Sequence, residues 1–384
     1  MTPQTVLTVS GLAMATQEAL RAGLDRAIPF GADLPRHVHE VTPAWLDSAL
    51  RLPPGTITAV RVLTQHSGTA ARARIEVDGD TGAPRQLFLK MLPRDYLQHV
   101  LMNIFRLGAR EILAYRALGE QPPVRVPRCH VARYETRRRR SVLVLEDLSP
   151  TAEFRTVVDS VTRAEAEAVV DAFADLHGQF WDSARFDTDL RPLAHRSPTE
   201  IRVGDLVRRR FLARITGHTA DLIPSDTARR CRIFYLRSGD IDAFWARQPR
   251  TLTHGDPHLG NLFFEPTGPG FLDWQVASGG VGIRDVAYFA CASVEPDLLR
   301  AIERGLVQRY TDRLAAAGIP VDVDRQWTLY RAALTELFLA AVCTAEAGER
   351  MQPFEVSRVG VERAVAGVTA HDSFQLLETL ISAD

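Results

Sequence analysis

The segment 251–275, TLTHGDPHLGNLFFEPTGPGFLDWQ, constrains the fold of this chain more than any other part of the sequence. Two short apolar runs, 262–264 and 271–272, flank a turn at 265–270 and predict a β-hairpin. The hairpin would bring three polar side chains towards one end: Asp256, Asn261 and Asp273. A site that holds carboxylate and amide oxygens together is therefore expected at this end of the hairpin.

The spacing of these polar residues points to a specific chemistry. Asn261 follows Asp256 by 5 residues, and Asp273 follows Asn261 by 12. This order resembles the protein-kinase catalytic loop and its second metal ligand. Phosphoryl transfer needs a carboxylate that orients the attacking hydroxyl and hard oxygen ligands for Mg²⁺. We predict the first role for Asp256 and the second for Asn261 and Asp273; the alternative is that all three merely cap turns.

Almost all basic residues of the chain are arginines. Of 46 basic residues, only Lys90 is a lysine, although a GC-rich genome would also produce this bias. Lys90 ends an apolar strand, and Glu111 follows 21 residues later in the predicted helix REILAYRAL. A strand lysine paired with a helix glutamate is how a kinase small lobe binds the α- and β-phosphates. In the alternative interpretation, both side chains are simply solvated.

Other residues are predicted to complete a nucleotide site. The loop Ser67-Gly68-Thr69 could cover phosphates with backbone N–H groups, although one glycine is a weak signal. Glu146 and Leu148 follow the last strand of the small lobe, where adenine would hydrogen-bond to the backbone. His258 is expected near the transferred phosphate or in a structural role. The predicted cofactor-binding set is therefore Lys90, Glu111, Ser67, Gly68, Thr69, Glu146, Leu148 and His258.

The secondary-structure signals predict an α+β protein with two lobes. Residues 1–40 form an N-terminal extension, 41–148 a small lobe with an antiparallel sheet, and 149–384 a larger, mainly helical lobe. A helix is predicted at 16–27 in the extension. The predicted small-lobe elements are a helix at 42–51, strands at 57–64, 73–77, 86–91, 128–134 and 142–145, and a helical segment of about 20 residues ending at 118. The arginine run 137–140 is expected to be a solvated hairpin turn. A cleft for the ligand is expected where the lobes meet.

Composition excludes several classes of function. The net charge of −1 argues against a global nucleic-acid-binding surface and against a polybasic membrane binder. The 4 cysteines show neither disulfide nor zinc-site spacing, which fits a reducing compartment. We expect no membrane span and no secretory signal, and hence a cytoplasmic protein.

The motifs HGDPHLGN and FLDWQ resemble those of the aminoglycoside-phosphotransferase and choline-kinase superfamily. The segments TPAWLDSAL, SGTAARARIEV with QLFLK, and REILAYRAL before VLVLEDLS resemble most its ecdysteroid-kinase-like branch. The resemblance covers about residues 42–290 and implies a bilobal protein-kinase-like fold. It also implies ATP and Mg²⁺ as cofactors and a small-molecule hydroxyl as acceptor. Asp285, in GIRDVAYFA, matches a family acidic residue whose expected role is structural, capping a helix or tying down the catalytic loop.

Departures from protein kinases narrow the function. The chain has His-Gly-Asp in place of His-Arg-Asp, Asp-Trp-Gln in place of Asp-Phe-Gly, and no Ala-Pro-Glu segment. We therefore expect a small-molecule O-kinase; a nucleotide-binding pseudokinase scaffold, an aminoglycoside-type antibiotic phosphotransferase and a protein kinase are the alternatives.

The acceptor is predicted from the composition of the helical lobe. The arginine-rich segment 190–250 favours a neutral or acidic, partly apolar acceptor, such as a sterol, polyketide or sugar-bearing metabolite, over an aminoglycoside. The candidate lining residues are Phe211, Phe234, Tyr235, Phe244, Trp245, Trp327, Tyr330 and Phe338, although each is also a normal core residue.

Overall fold

The computed structural model describes residues 3–28, 33–68, 70–80, 82–212, 215, 219–349 and 352–383. The chain divides into two compact units. Unit 1 comprises residues 1–122, 126–151 and 196–204; unit 2 comprises residues 123–125, 152–195 and 205–384.

Unit 1 is built around an antiparallel sheet with the strand order β1-β2-β3-β5-β4. The strands are β1 (Ile57–Ser67), β2 (Ala71–Gly79), β3 (Gln86–Met91), β4 (Cys129–Glu135) and β5 (Arg140–Glu146). Each coincides with a strand predicted from the sequence, and most extend a few residues further. β-branched and leucine side chains alternate along these strands, as a sheet with two different faces requires.

One face of this sheet is apolar and covered. Its side chains include Ile75, Leu87 and Leu89, which are buried in a core cluster. That cluster is completed by residues 34–50, which include helix α2 (Pro43–Leu50). Thr42 caps the beginning of α2, because its side chain accepts a hydrogen bond from the Trp45 N–H. Lys90 alternates with the covered residues of β3 and therefore lies on the opposite face.

The predicted helical segment before residue 118 is two helices. They are α3 (Tyr96–Ile104) and α4 (Leu107–Leu118), and a long N-terminal helix, α1 (Pro3–Ala27), precedes them in unit 1. Arg106 lies between α3 and α4 with a φ of 54°. A left-handed residue cannot continue an α-helix, so the chain changes direction there.

The arginine run at 137–140 is not simply a solvated turn. Arg137 is exposed, as expected, but the Arg140 side chain is only 3% exposed. Its Nε donates to Asp25 of α1 at 2.9 Å, and Arg139 pairs with Glu18 of the same helix at 2.9 Å. The prediction of a wholly solvated run is wrong, because α1 turns its acidic residues inward and these need cationic partners.

Breaking the buried pair should destabilise unit 1. In Asp25→Ala, the Arg140 guanidinium stays buried without its carboxylate, so the free energy of unfolding should fall by about 3–5 kcal/mol. Chemical denaturation would measure this, with Arg137→Ala as the control that changes stability by less than about 0.5 kcal/mol. A loss below about 1 kcal/mol in Asp25→Ala would show that the pair does not anchor α1.

Unit 2 is mainly helical. Its helices are α5 (Arg163–Phe180), α6 (Arg191–Ala194), α7 (Pro198–Leu212, which begins in unit 1), α8 (Ser225–Arg230), α9 (Ile233–Leu236), α10 (Ser238–Ala246), α11 (Ile283–Ser293), α12 (Pro296–Ala316), α13 (Val323–Glu346), α14 (Phe354–Ala370) and α15 (Ser373–Ser382). The α5 helix begins with a capping box formed by Thr162 and Glu165. Phe173 and Phe180 of α5 are buried in the core.

Short strands in unit 2 position the 251–275 segment. They are β6 (Glu153–Phe154), β7 (Thr251–Thr253), β8 (Leu262–Glu265), β9 (Gly268–Phe271) and β10 (Ser278–Gly280). The predicted hairpin is confirmed as β8 and β9, with Phe263 opposite Gly270. A Cβ at Gly270 would lie 2.1 Å from the Phe263 ring, so only glycine fits there.

Most of the aromatic residues considered for acceptor binding are core residues. Phe234, Phe244, Trp245, Tyr330 and Phe338 are all buried. They stabilise the helical packing and do not line an open acceptor site.

Among the described residues, one helix, α13, is long and apolar enough to cross a membrane by length and composition. Of its most apolar window, 56% is buried inside the protein, and the core helix of a globular protein passes the same test. It is therefore weak evidence for a span, and the sequence predicted none.

Candidate active site

The structure brings together the predicted lysine and glutamate of unit 1. Lys90 Nζ donates to Glu111 Oε1 at 2.8 Å, and the two side chains are 5% and 3% exposed. Lys90 stands near the end of β3, and Glu111 stands on the buried side of α4. Because this lysine is fixed and charged, it presents a point charge suited to phosphate oxygens.

The residues before Asp256 form a rigid loop after β7. The His254 ring is fully buried, accepts the Asp256 N–H on Nδ1 at 3.3 Å, and donates from Nε2 to the Leu272 carbonyl at 2.7 Å. Burial lowers the pKa of His254, which keeps the ring in the neutral form that this pattern needs. The ring thereby joins the loop at Asp256 to the end of the β8–β9 hairpin.

Gly255 explains the departure from His-Arg-Asp. It has a φ of 85°, and a Cβ at this position would lie 2.7 Å from the Val276 carbonyl oxygen. A side chain at this position would therefore be both strained and crowded.

Asp285 ties this loop down, as its expected structural role requires. Its carboxylate accepts the backbone N–H groups of His254 at 2.6 Å and Gly255 at 2.9 Å. It also lies 3.3 Å from His177 Nε2. Burial by itself would raise the pKa of Asp285, but hydrogen bonds from these partners hold it below its ordinary value.

A second layer of buried polar residues supports Asp285. His177 of α5 bonds through Nδ1 to the hydroxyl of Tyr310 on α12 at 2.9 Å. A Cβ on Gly282 would meet the Tyr310 hydroxyl at 2.4 Å, so glycine is required for this contact. His177 thus has a structural role, and its polar contacts extend from α12 to Asp285, which holds the loop.

Asn261 lies beside Asp256. Its Nδ2 donates to the Asp256 carbonyl at 2.9 Å and to Asp256 Oδ2 at 3.3 Å. Because the amide nitrogen faces Asp256, the amide oxygen is left to serve as an acceptor or a metal ligand.

Asp273 follows β9 and is tied to Asn261 through the backbone. The Leu272 N–H donates to the Asn261 carbonyl at 2.8 Å, which brings together the segments carrying the two predicted metal ligands. Asp273 itself has a φ of 60°, a left-handed conformation that is uncommon for a non-glycine residue. Residues held in such conformations cluster at functional sites, which fits a ligand role.

Tyr288 was missed by the sequence analysis. Its hydroxyl donates to Asp256 Oδ1 at 2.6 Å, a shorter contact than the one that Asn261 Nδ2 makes with Oδ2. Burial raises the pKa of Tyr288 well above its ordinary value, so the hydroxyl keeps its proton and remains a donor. The signal was present in the sequence, because Tyr288 follows Asp285 by three residues in α11 and so lies on the same face.

His258 lies next to the Asp256 carboxylate. Its Nε2 is 3.7 Å from Asp256 Oδ2, and its side chain is 28% exposed. Its Nδ1 is buried without a hydrogen-bond partner in the described part of the chain. The imidazole therefore keeps a polar atom that a ligand could satisfy.

Ser67, Gly68 and Thr69 form the loop that was predicted to cover the phosphates. Ser67 ends β1 and accepts the Arg94 N–H on Oγ at 3.3 Å. The Gly68 N–H donates to the Ala70 carbonyl at 3.0 Å, so in this conformation it is used within the turn. Thr69 lies outside the described residues.

Glu146 and Leu148, the two residues predicted to lie beside adenine, stand at the end of β5 and directly after it. Arg128 holds Glu146 through two hydrogen bonds. The Glu146 N–H donates to the Arg128 carbonyl at 2.9 Å, and the Arg128 N–H donates to Glu146 Oε2 at 2.9 Å. Leu148 is buried, and its carbonyl accepts the Thr151 N–H at 3.1 Å.

The residues of unit 2 fit a magnesium ion by their chemistry. Asn261 offers an amide oxygen and Asp273 a carboxylate, both of them hard oxygen ligands of the kind that Mg²⁺ prefers. No group of three or more His, Cys, Asp or Glu residues in the described ranges is arranged to hold a metal. A two-ligand site is nevertheless normal for Mg²⁺ bound together with substrate phosphates.

The family comparison agrees with this geometry. Residues 62–321 match the family model described as phosphotransferase enzyme family. The chain belongs to this phosphotransferase family. The matched range contains every predicted site residue, from Ser67 to Asp273.

Solved structures show the fold of this phosphotransferase. A putative aminoglycoside phosphotransferase from Ralstonia eutropha JMP134 is similar with a TM-score of 0.51 at 13% identity, over 88% of this chain and 97% of that chain. Choline kinase LicA from Streptococcus pneumoniae (TM-score 0.45, 14% identity, 82% and 94% covered) and a choline/ethanolamine kinase family protein from Mesorhizobium loti (0.46, 13%, 88% and 98%) are also similar. The first of these supports a protein-kinase-like fold. The comparison with curated proteins gave no match.

The loop geometry should depend on Asp285. In Asp285→Ala, two backbone N–H groups and His177 lose a buried carboxylate, so the free energy of unfolding should fall by about 3–5 kcal/mol. Thermal and denaturant unfolding would measure this, and Asp297→Ala is the control because that side chain is 93% exposed. Equal stability of both variants would contradict the role assigned to Asp285.

Proposed function

We propose that this phosphotransferase is an ATP- and Mg²⁺-dependent kinase that transfers the γ-phosphate to a hydroxyl of a small-molecule acceptor. Family membership supports phosphoryl transfer. The ecdysteroid-kinase-like motifs of the sequence support a small-molecule acceptor over a protein. The proposal places the reaction in the cytoplasm, where ATP is available.

The observation that carries the proposal is the environment of Asp256. Tyr288 fixes one carboxylate oxygen, and Asn261 lies against the other. A carboxylate held in this way has a defined orientation towards an incoming hydroxyl, which general-base catalysis requires. Its neighbour Asn261 donates through its amide nitrogen, which leaves its amide oxygen to act as a metal ligand.

Each residue of the candidate site would have its own role in the reaction. Asp256 would accept the proton of the acceptor hydroxyl as it attacks phosphorus. Lys90, held by Glu111, would bind α- and β-phosphate oxygens. Asn261 and Asp273 would hold Mg²⁺, which when bound neutralises charge on the phosphates and orients them. His258 would lie near the transferred phosphoryl group.

The arginine-rich segment 190–250 supports a neutral or acidic acceptor. Local partners such as Asp226 neutralise part of this charge. An aminoglycoside carries several ammonium groups and would be repelled by a basic lining, so we favour a sterol, polyketide or sugar-bearing metabolite.

Mass spectrometry of metabolites would test the acceptor class. The protein is incubated with ATP, Mg²⁺ and a panel containing sterols, polyketides, sugar-bearing metabolites and kanamycin. A gain of one phosphoryl group on a hydroxylated, non-aminoglycoside compound is expected. Efficient phosphorylation of kanamycin alone would contradict the acceptor class, and nucleotide binding without transfer to any acceptor would support the pseudokinase alternative.

Removal of the candidate base should abolish most of the activity. Asp256→Ala should lower kcat by about 10²-fold or more, because a positioned general base contributes about that much. Steady-state kinetics would measure it, with Asp297→Ala as the surface control. An unchanged kcat in Asp256→Ala would exclude Asp256 as the base.

Tyr288 should act as a positioning residue for Asp256. Tyr288→Phe removes one hydrogen bond to a carboxylate, so kcat should fall about tenfold while the KM for ATP stays unchanged. Tyr330→Phe is the matched control, because its hydroxyl donates to Glu303 and not to Asp256. If both variants lose stability equally and neither loses kcat, the role of Tyr288 is only structural.

A further inference from the structure

The face of the unit 1 sheet that carries Lys90 also carries two arginine side chains. Lys90 pairs directly with Arg72 of β2, and Phe88 pairs with Arg74. Directly opposite residues in an antiparallel sheet point to the same face. Arg72, Arg74 and Phe88 therefore share the face of Lys90. The other face is the apolar core covered by residues 34–50.

Arg74 extends across this face to a residue beyond β5. Its Nε donates to Asp147 Oδ2 at 2.9 Å, and Asp147 follows directly after β5. β3 lies between β2 and β5 in the sheet. Two strand spacings amount to about 10 Å, so the Arg74 side chain must cross β3 to reach Asp147. The crossing lies near Phe88, since Phe88 is paired with Arg74 on one side and Leu145 on the other.

Asp147 is a firmly held anchor for the guanidinium. It also accepts hydrogen bonds from the N–H and the hydroxyl of Ser149. Burial by itself would raise the pKa of Asp147, but the bonds from Ser149 and Arg74 keep it below its ordinary value. The Asp147 side chain is 2% exposed, whereas that of Arg74 is 31% exposed. Arg74 thus covers Asp147 and leaves part of its own surface open.

Arg74 lies on the side of Lys90 that faces Glu146 and Leu148. Arg74 is opposite Phe88, two residues from Lys90, which is about 7 Å along the strand. If Lys90 binds phosphates, a nucleotide that runs towards Glu146 and Leu148 places its base near Arg74. A guanidinium is planar and weakly hydrated, so it stacks well on the face of a base.

We propose that Arg74, oriented by Asp147, is the surface on which the base of the nucleotide stacks. Arg74 would therefore determine affinity for the base, and Lys90 affinity for the triphosphate. This inference rests on the proposed function, since it requires a nucleoside triphosphate as ligand. Asp147 is a positioning residue in this arrangement.

Binding of two probes would test the proposal. Calorimetry measures the affinity for the Mg²⁺ complex of a non-hydrolysable ATP analogue, and competition measures the affinity for Mg²⁺-tripolyphosphate, which has no base. Arg74→Lys keeps the charge and loses the planar group, so affinity for the analogue should fall about fivefold to thirtyfold while tripolyphosphate binding stays unchanged. Asp147→Asn should give a smaller loss with the same selectivity.

The control is Arg309→Lys, which alters a different arginine–carboxylate pair, between Arg309 of α12 and Asp171 of α5. Its affinity for both probes should equal that of the wild type, and thermal unfolding checks that every variant is folded. Equal losses for both probes in Arg74→Lys would mean that Arg74 binds phosphate, and no loss would mean that the ion pair is only structural; both results overturn the proposal. A wild-type protein that binds neither probe would overturn the proposed function itself.

Discussion

The buried carboxylate of Asp285 holds the loop on which the candidate base depends. Two consecutive N–H groups, those of His254 and Gly255, donate to it. Gly255 then has a left-handed conformation, with a φ of 85°, in which the chain continues to Asp256. The His254 ring then joins Asp256 to the end of the hairpin that carries Asp273. The geometry of the candidate site thus follows from one buried anion and the groups that satisfy it.

Burial strengthens this arrangement and makes it vulnerable. Electrostatic interactions are stronger in a low-dielectric interior, so Asp285, His177 and Tyr310 hold one another in a single arrangement. The same environment makes any unpaired member costly. Lys90 and Glu111 in unit 1 follow the same logic, because neither charge would be tolerated there without the other.

Local patterns made much of this structure predictable. The hairpin, the α2 cap and the strands of unit 1 follow from periodicity and turn residues close in sequence. The pairing of Lys90 with Glu111 could be predicted because strand and helix signals defined both positions. Tyr288 was missed because its spacing from Asp285 places both residues on one face of α11 but does not show that this face packs against the loop.

Two predictions that differ from the structure, the solvated arginine run and the single helical segment before residue 118, failed for physical reasons. The arginine run was expected to be solvated because charged residues usually are. The inward acidic face of α1 reverses that expectation, and it becomes visible only when Asp25 and Arg140, 115 residues apart, are found together. The break between α3 and α4 at Arg106 likewise depends on a backbone conformation that the residue type does not favour.

The central claim of the proposed function is our proposal that Lys90 with Glu111 and the set Asp256, Asn261 and Asp273 serve one nucleotide. A crystal structure with Mg²⁺ and a non-hydrolysable ATP analogue tests it most directly. The account predicts Mg²⁺ bound to the Asn261 amide oxygen and the Asp273 carboxylate, with Lys90 on the phosphates of the same molecule. A nucleotide bound without contact to Lys90 or to the metal ligands would contradict it.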